Sequence, residues 1–322
     1  MNKTRYFLFA IFVLITGFFS GPKVDQSFYP KKFAIPESVE EYIKKSESVL
    51  TDIRPNNEKK IIWFDESKKQ KTKVSIVYLH GYGASRNEIA PICDLLAKEF
   101  KANLFYTRLA GHGRSFDAMG EPSVSDWLND SIEAIEIGEK IGEKVILVGT
   151  STGATLGIWL LAETEKKNSI QASIFLSPNF WPYDKSSKVA TFPWGKQIVS
   201  LALGDYRAWV PRSKEVEMNW TYKTPTKAVV TLMGLVDLVS KIDVSKIQTP
   251  MLFLYSTKDN VIDPILVEKK FAQLGSPKKK IIAIDNSEDV NNHVLAGNII
   301  SPKTNEVVLS SISNFLKEIL KN

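Results

Sequence analysis

Cysteine is almost absent from this chain of 322 residues, which contains a single one, Cys93. One cysteine excludes an intrachain disulfide, so cysteine usage does not indicate a compartment. Cys93 lies in an apolar helical pattern, and we expect it to be a small core residue. Histidine is also scarce, with three in the chain. The sequence has no His-Glu-x-x-His motif, no Walker sequence and no Rossmann fingerprint in its proper context, so we expect no metal and no organic cofactor.

A concentrated basic surface is a second feature that the sequence lacks. The net charge is +6, but the lysines are scattered, with short clusters at residues 68–73 and 278–280. No basic stripe is interleaved with aromatic residues, and we therefore expect no nucleic acid partner. The hydrophobic fraction of 43% and the charged fraction of 24% are ordinary for a globular protein.

One long apolar run stands out, and it lies at the N-terminus. Lys3 and Arg5 precede the apolar residues 6–19. A positive start followed by an apolar segment of this length is typical of a secretory signal, and it is short for a membrane span of roughly 20 residues. The residues that follow make a poor cleavage site. We therefore expect residues 1–21 to be a signal peptide or an uncleaved N-terminal membrane anchor, with membrane association through residues 6–19 and the remaining chain exported from the cytoplasm.

Apolar strand patterns alternate with helical patterns along most of the remaining chain. Strands are predicted at residues 60–64, 73–80, 102–107, 145–148, 172–176, 251–256 and 280–284, and helices at 37–50, 87–100, 123–141, 154–162 and 303–320. Alternation without repeats indicates an α/β fold with a mostly parallel central sheet and helices on both faces. We expect residues 22–58 to form a linker and an N-terminal helix, and residues 59–322 to form the main domain.

Residues 178–248 interrupt this alternation. Four of the seven tryptophans lie in this segment, which shows no strand pattern, and its second half has a helical pattern. An aromatic-rich insertion after a sheet strand predicts a mainly helical cap that gives a pocket apolar walls.

The stretch from Lys144 to Gly157 carries the strongest chemical signal. Residues 145–148 are a wholly apolar strand, residues 149–153 read Gly-Thr-Ser-Thr-Gly, and an apolar helix follows. Gly-x-Ser-x-Gly between a strand and a helix places the serine at the tip of a sharp turn with its hydroxyl exposed. Ser151 is therefore the candidate nucleophile.

A base and an orienting acid follow this serine in the chain. His293 lies in a polar loop after the last predicted strand, where an imidazole can reach the serine, so it is the candidate base. Asp259 follows the strand at residues 251–256 and is the candidate for orienting the imidazole. The first competitor is Asp263, which precedes Pro264 and is better explained as a helix N-cap. Further carboxylates remain as alternatives: Asp237, Asp285, Glu288 and Asp289.

The loop at the end of the strand at residues 73–80 can supply an oxyanion hole. His80-Gly81-Tyr82-Gly83 ends that strand, and glycines 81 and 83 allow the backbone to bend toward a substrate. The backbone N–H of Tyr82 can then act together with that of Thr152. We expect His80 itself to be structural and to hydrogen-bond the loop backbone.

Together these motifs resemble the α/β-hydrolase superfamily, and most of all its serine esterases and monoacylglycerol-lipase-like proteins. The resemblance covers roughly residues 60–320, and the order Ser, Asp, His matches that of the superfamily. It implies the α/β-hydrolase fold, and it implies that the Gly111-His112-Gly113 loop shapes the site beside the oxyanion hole. Thr150 and Thr152 depart from the bulkier or more polar neighbours often found beside the serine, which weakens any transfer of substrate preference.

The sequence therefore predicts a serine hydrolase that cleaves carboxylic esters with an apolar acyl or lipid-like group through an acyl-enzyme. Another chemistry of the same fold is the first alternative, on a thioester, an amide or a carbon–carbon bond, or in acyl transfer. A non-catalytic hydrolase-like binding protein is the second. Such a protein should have lost a member of the triad, whereas all three residues are available here. The partner is expected to be a small-molecule ester or lipid, and no oligomeric state is predicted.

Overall fold

The computed structural model describes residues 3–321, so residues 1, 2 and 322 of the segments predicted above lie outside the description. The strands are β1 (Lys60–Ile62), β2 (Thr72–Leu79), β3 (Asn103–Tyr106), β4 (Gly142–Thr150), β5 (Ile170–Leu176), β6 (Tyr206–Ala208), β7 (Lys223–Pro225), β8 (Met251–Tyr255) and β9 (Lys279–Ala283). The helices are α1 (Lys3–Phe19), α2 (Val39–Ser48), α3 (Ile92–Glu99), α4 (Val124–Ile141), α5 (Thr152–Glu163), α6 (Gly195–Leu203), α7 (Lys214–Asn219), α8 (Thr226–Ser240), α9 (Pro264–Gln273) and α10 (Asn305–Leu320).

Seven strands form one central sheet in the order β1-β3-β2-β4-β5-β8-β9. β1 is antiparallel to β3, and every other neighbouring pair in this sheet is parallel. The predicted mostly parallel α/β-hydrolase sheet is thereby confirmed. β4 lies in the middle, and the carboxyl ends of the parallel strands meet at one edge, where ligands bind in folds of this kind.

Two apolar cores lie on opposite faces of the sheet. Val145 and Leu147 of β4 belong to one core, whereas Ile146 and Val148 belong to the other. Successive side chains of a strand point to opposite faces, and both faces are covered by helices here, which is why β4 is a wholly apolar run. The first core contains residues of α4 and α5, and the second contains residues of α3 and α10. Cys93 is fully buried in the second core, as expected.

Helix α4 begins where its sequence predicts. Ser123 is the N-cap, and its hydroxyl accepts a hydrogen bond from the amide of Asp126 while the Asp126 side chain accepts one from the amide of Ser123. This reciprocal capping fixes the first turn. Helix α3 departs from the prediction, since it begins at Ile92 rather than at residue 87. Pro91 occupies its N-cap position, and a proline inside a helix would remove a backbone hydrogen bond.

The inserted segment, residues 178–248, lies between β5 and β8 and contains α6, α7 and α8. It also holds a small antiparallel pair, β6 with β7, which the sequence analysis did not predict. Each of these strands has three residues, too few to show an alternating pattern. Helix α8 packs against α5, the helix that follows Ser151. The inserted segment therefore lies close to the candidate nucleophile.

Helix α1 presents most of its apolar side chains to solvent, with large residues exposed by between 36% and 73%. Its C-terminal end contacts the inserted segment, because the Trp194 indole N–H donates to the carbonyl of Gly17 (3.2 Å). Just after the helix, the Trp194 amide donates to the carbonyl of Pro22 (2.8 Å). No helix within residues 3–321 is long and apolar enough to cross a membrane.

Candidate active site

Ser151 occupies a strained turn between β4 and α5. Its backbone angles are φ 52° and ψ −112°, a conformation that non-glycine residues rarely adopt. The turn is tight because α5 begins against the end of β2: a Cβ on Gly153 would lie 2.0 Å from the carbonyl oxygen of Leu79. Strain of this kind is typical of a functional turn, and here it occurs at the residue between β4 and α5.

His293 and Asp259 form a hydrogen-bonded pair at the carboxyl edge of the sheet. His293 Nδ1 donates to Asp259 Oδ2 at 2.7 Å. The other carboxylate oxygen of Asp259 accepts the amides of Val261 (2.8 Å) and Ile262 (3.0 Å). The carboxylate is thus held on both sides, which fixes the Nδ1–H tautomer and leaves Nε2 free to accept a proton.

The hydroxyl of Ser151 makes no hydrogen bond to the imidazole within the part of the chain that the structure describes. Contacts between nucleophile and base are often long in free serine hydrolases and tighten when a substrate binds. Ser151 and His293 are 6% and 8% exposed. The carbonyl of Ser151 also accepts the amide of Asn179 (3.4 Å), so the turn is tied to the start of the inserted segment.

Asp263 has a different task. Its carboxylate accepts the amides of Ile265 (3.0 Å) and Leu266 (3.4 Å) at the start of α9 and pairs with Lys185. It is therefore the N-cap of α9 that the sequence predicts, and it is not the partner of His293.

The remaining alternative carboxylates are also engaged elsewhere. Asp285 accepts hydrogen bonds from the hydroxyl and the amide of Thr257, and Glu288 pairs with Lys303. Asp237 accepts the Gln26 amide and pairs with Lys241. Asp289 contacts the backbone of His293 and not its ring, as described below.

The charges around His293 favour its protonated form. Burial alone lowers the pKa of the imidazole, but the carboxylates of Asp259, Glu88 and Asp289 outweigh burial, so the pKa of His293 lies above its ordinary value of 6.5. A base with a raised pKa takes up the proton of a serine hydroxyl more readily.

The predicted oxyanion loop lies beside this pair. The amide of Tyr82 donates to no acceptor among residues 3–321, and Thr152 is the first residue of α5, whose amide has no intrahelical partner. Gly83 has a φ of 72°, and its carbonyl accepts the amide of Thr221 (2.6 Å) from the inserted segment. Two backbone donors are therefore available near Ser151.

His80 connects this loop to a second one. Its Nε2 accepts the amide of Leu109 (3.1 Å), so Nδ1 carries the proton and donates to the carbonyl of Gly81 (2.9 Å). Burial lowers the pKa of His80 to about 4, which keeps the ring neutral. These contacts agree with the structural role expected from the sequence.

His112 packs against His80 between two glycines in the left-handed region, Gly111 (φ 78°) and Gly113 (φ 65°). The centroids of the two imidazole rings lie 5.0 Å apart, and the ring of Tyr82 lies 5.9 Å from that of His112. The fully buried His112 ring thus packs against the loop that carries Tyr82.

Three further residues contact the site or its loops, and sequence reasoning missed them: Ser177, Glu88 and Arg212. Ser177 donates its hydroxyl to the carbonyl of His293 (2.7 Å), and Glu88 accepts the amide of Gly81 (2.8 Å). They lie in no recognisable motif, and a glutamate in a helical pattern reads as a solvent-exposed residue. Among residues 3–321 there is no cluster of three or more His, Cys, Asp or Glu side chains arranged to hold a metal.

Comparison with known proteins is consistent with this architecture. Residues 70–288 match the family model described as serine aminopeptidase, S33. The chain is 23% identical over 217 residues to a thermostable monoacylglycerol lipase of Bacillus sp. (strain H-257), covering 67% of this chain and 83% of that protein. It is 24% identical over 221 residues to the protein bem46 of Schizosaccharomyces pombe, covering 67% of this chain and 61% of that protein.

A solved structure has the same fold. The monoacylglycerol lipase of Paleococcus ferrophilus superposes with a TM-score of 0.62 at 18% identity, covering 81% of this chain and 98% of that one. The family match spans more than half of the chain and includes the strained serine turn and Asp259. The chain belongs to the serine aminopeptidase, S33 family of α/β-hydrolases and is similar to its monoacylglycerol-lipase-like branch.

Proposed function

We propose that this protein is a serine esterase that cleaves carboxylic esters with an apolar acyl or lipid-like group. The observation that carries the proposal is the 2.7 Å hydrogen bond from His293 Nδ1 to Asp259, at the same sheet edge as the strained turn of Ser151. Likeness to monoacylglycerol lipases supports an ester as the substrate. No second chemistry of the fold is favoured by a contact in the site.

In the proposed mechanism Ser151 Oγ attacks the ester carbonyl while His293 Nε2 removes the hydroxyl proton. A bond forms between Oγ and the carbonyl carbon, and the negative charge moves to the carbonyl oxygen. Asp259 stabilises the imidazolium that results, since it already holds the Nδ1–H. The imidazolium then protonates the departing alcohol as the carbon–oxygen bond breaks. Water, deprotonated by the same imidazole, releases the acid from Ser151.

The backbone amides of Tyr82 and Thr152 stabilise the oxyanion. Both are free of other acceptors among the described residues. Thr152 is the first residue of α5, and Tyr82 lies in the loop that follows β2. Donors that are already oriented lower the barrier without reorganising during the reaction. Glu88 holds the first amide in place through Gly81, which is the residue before Tyr82.

The inserted segment acts as a cap over this site. It contacts three of the site's loops: Thr221 bonds to Gly83, Asn179 to Ser151, and Arg212 to Asp289. Ser151 and His293 are more than nine-tenths buried, so a substrate reaches them when the cap moves. Aromatic side chains of the cap supply apolar walls for an acyl chain.

The N-terminal helix α1 associates with a membrane and accompanies export, so that the catalytic domain lies outside the cytoplasm. The support is the exposure of its large apolar side chains and the positive residues Lys3 and Arg5 at its start. An enzyme for lipid-like esters benefits from such a contact because its substrates are concentrated in membranes. Vesicle flotation of the full-length chain, compared with a chain starting at Pro22, tests this contact. Equal flotation of both would contradict it.

A serine-directed fluorophosphonate tests the proposed nucleophile. We expect stoichiometric labelling of the intact chain, with the modified peptide containing Ser151 by mass spectrometry, and no labelling of Ser151→Ala. Aminoacyl anilides alongside esters test the amide alternative. Labelling of Ser151 with turnover of anilides and not of esters would replace esterase by amidase. Absence of both labelling and turnover would favour a binding protein.

A further inference from the structure

Asp289 holds the turn that carries the candidate base. Its Oδ2 accepts the amides of His293 (3.1 Å) and Val294 (3.0 Å), and its carbonyl accepts the amide of Asn292 (2.8 Å). Asn292 has a φ of 52°, so the chain bends sharply just before His293. Three hydrogen bonds accepted by Asp289 therefore define the backbone from which the imidazole projects.

The second carboxylate oxygen of Asp289 is held by the cap. Arg212 Nη2 donates to Asp289 Oδ1 at 2.6 Å. The Asp289 side chain is 4% exposed and that of Arg212 is 40% exposed. Arg212 lies in a mostly exposed stretch of the cap between β6 and α7. Its side chain extends from the cap to the loop that carries His293.

This ion pair differs from an ordinary surface pair because one partner is buried against the site. Burial alone raises the pKa of Asp289, but Arg212 and the backbone amides of Val294, His293 and Asn291 outweigh it and lower the pKa. A buried carboxylate that loses its cationic partner keeps a costly uncompensated charge. A cap that moved away from the loop would therefore disturb the turn at Asp289.

We propose that Arg212 is a positioning residue through which the cap sets the alignment of His293, by holding the Asp289 turn while the cap is closed. The inference rests on the proposed function, and it adds to it a coupling between cap closure and the readiness of the base. An open cap admits substrate while the base is loosely held. A closed cap, with Arg212 on Asp289, completes the site.

The electrostatic consequence of the coupling has a definite sign. The charged groups that act on His293 are Asp259, Glu88 and Asp289, and Arg212 opposes the last of these. Loss of the guanidinium leaves the Asp289 charge unopposed, which further raises the pKa of His293. The acidic limb of the pH–rate profile then moves to higher pH. Loss of a contact that carries no charge would leave this limb unchanged.

The test compares Arg212→Gln, Arg212→Lys and Lys214→Gln in the full-length chain. Lys214→Gln is the matched control, since it removes one positive charge from an exposed residue two positions along the same segment. The readouts are hydrolysis of p-nitrophenyl butyrate and the rate of fluorophosphonate labelling, each as a function of pH. All rates are normalised to the labelled fraction, so that misfolded protein is not counted.

We expect Arg212→Gln to lower kcat by about threefold to tenfold with little change in KM, because small displacements of a catalytic group have large effects. The midpoint of the acidic limb should move to higher pH by roughly 0.3–0.6 pH unit, the scale expected for a nearby charge in a partly screened site. Arg212→Lys should restore the limb and recover part of kcat, and Lys214→Gln should resemble wild type. Equal shifts in Arg212→Gln and Lys214→Gln, or no shift in either, would overturn the inference.

A double-mutant cycle with Asp289→Asn completes the test. Asparagine can still accept the amides of His293 and Val294, so the turn can form without its charge. If Arg212 acts through Asp289, Arg212→Gln should cause no further fall in kcat in the Asp289→Asn background. Additive losses would contradict the coupling. If wild type turns over the ester and the Arg212 variants match it in kcat and in pH profile, this inference alone is refuted. If wild type shows neither turnover nor labelling, the proposed function is refuted and this inference with it.

Discussion

The carboxylate of Glu88 contacts the loop that carries Tyr82, where its Oε2 accepts the amide of Gly81 at 2.8 Å and the hydroxyl of Tyr78 at 2.8 Å. A Cβ on residue 81 would lie 2.7 Å from Glu88 Oε1, so the loop and the carboxylate fit together closely at a glycine. Burial raises the pKa of Glu88, although the hydrogen bonds from Gly81 and Tyr78 oppose this. Glu88 therefore holds the loop that carries Tyr82 and also places negative charge near His293.

Substitution of Glu88 separates these two effects. Glu88→Gln keeps an acceptor for Gly81 and removes the charge, so the pKa of His293 should fall and the acidic limb of the pH–rate profile should move to lower pH. Glu88→Ala also leaves the Gly81 amide without its acceptor, and we expect kcat to fall by about tenfold to a hundredfold because an oxyanion donor is misplaced. Steady-state ester hydrolysis across pH 5–9 measures both. A limb that stays in place in Glu88→Gln would show that this charge does not act on His293.

Two aspartates four residues apart provide a matched pair of variants. Asp259→Asn should reduce kcat by roughly a thousandfold or more, since the amide no longer holds the Nδ1–H tautomer. Asp263→Asn should retain most of the activity, because asparagine is as good an N-cap as aspartate and the change lies at the start of α9. Ester hydrolysis and a circular dichroism melt of each variant provide the comparison. A larger loss of activity in Asp263→Asn than in Asp259→Asn would show that Asp259 is not the orienting acid.

The pH dependence of the wild-type enzyme should reflect the raised pKa of His293. The base works unprotonated, so activity should be lost as the pH falls through a midpoint above the ordinary histidine value of 6.5. The measurement is kcat/KM across pH 5–9, which reports groups in the free enzyme. Fluorophosphonate labelling should follow the same limb. A midpoint clearly below 6.5 would mean that burial outweighs the carboxylates around the ring.

Asp130 should affect stability rather than chemistry. Its Oδ2 accepts the amide of Ala110 at 2.6 Å, and burial raises its pKa to about 6 from 3.8. A carboxyl with a raised folded-state pKa stabilises the fold below its unfolded pKa, and this contribution is lost as the pH rises through 6. Between pH 5 and pH 8 the free energy of unfolding of wild type should therefore fall by about 1 kcal/mol relative to Asp130→Asn. Urea denaturation at the two pH values tests this. A constant difference between the two proteins would contradict the assignment.

The strand-turn-helix around Ser151 could be read from the sequence because its pattern is local: an apolar strand, a Gly-x-Ser-x-Gly turn and an apolar helix. The placement of Asp259 and His293 followed from their positions after strands. The β6–β7 pair could not be read, since three-residue strands have no period. The same holds for the contacts of Glu88 and Asp289, whose partners are a backbone amide and an arginine 77 residues away. Such contacts depend on the packing of distant segments and leave no local pattern.

The most direct test of the proposed activity is hydrolysis of p-nitrophenyl esters from acetyl to palmitoyl, by wild type and Ser151→Ala side by side. We expect wild type to turn over esters with an optimum above acetyl, because the proposed substrate carries an apolar acyl chain, and Ser151→Ala to lose this turnover. The chain-length optimum then measures the depth of the acyl pocket. Equal turnover by the two proteins would contradict the central claim that Ser151 is the nucleophile of a serine esterase.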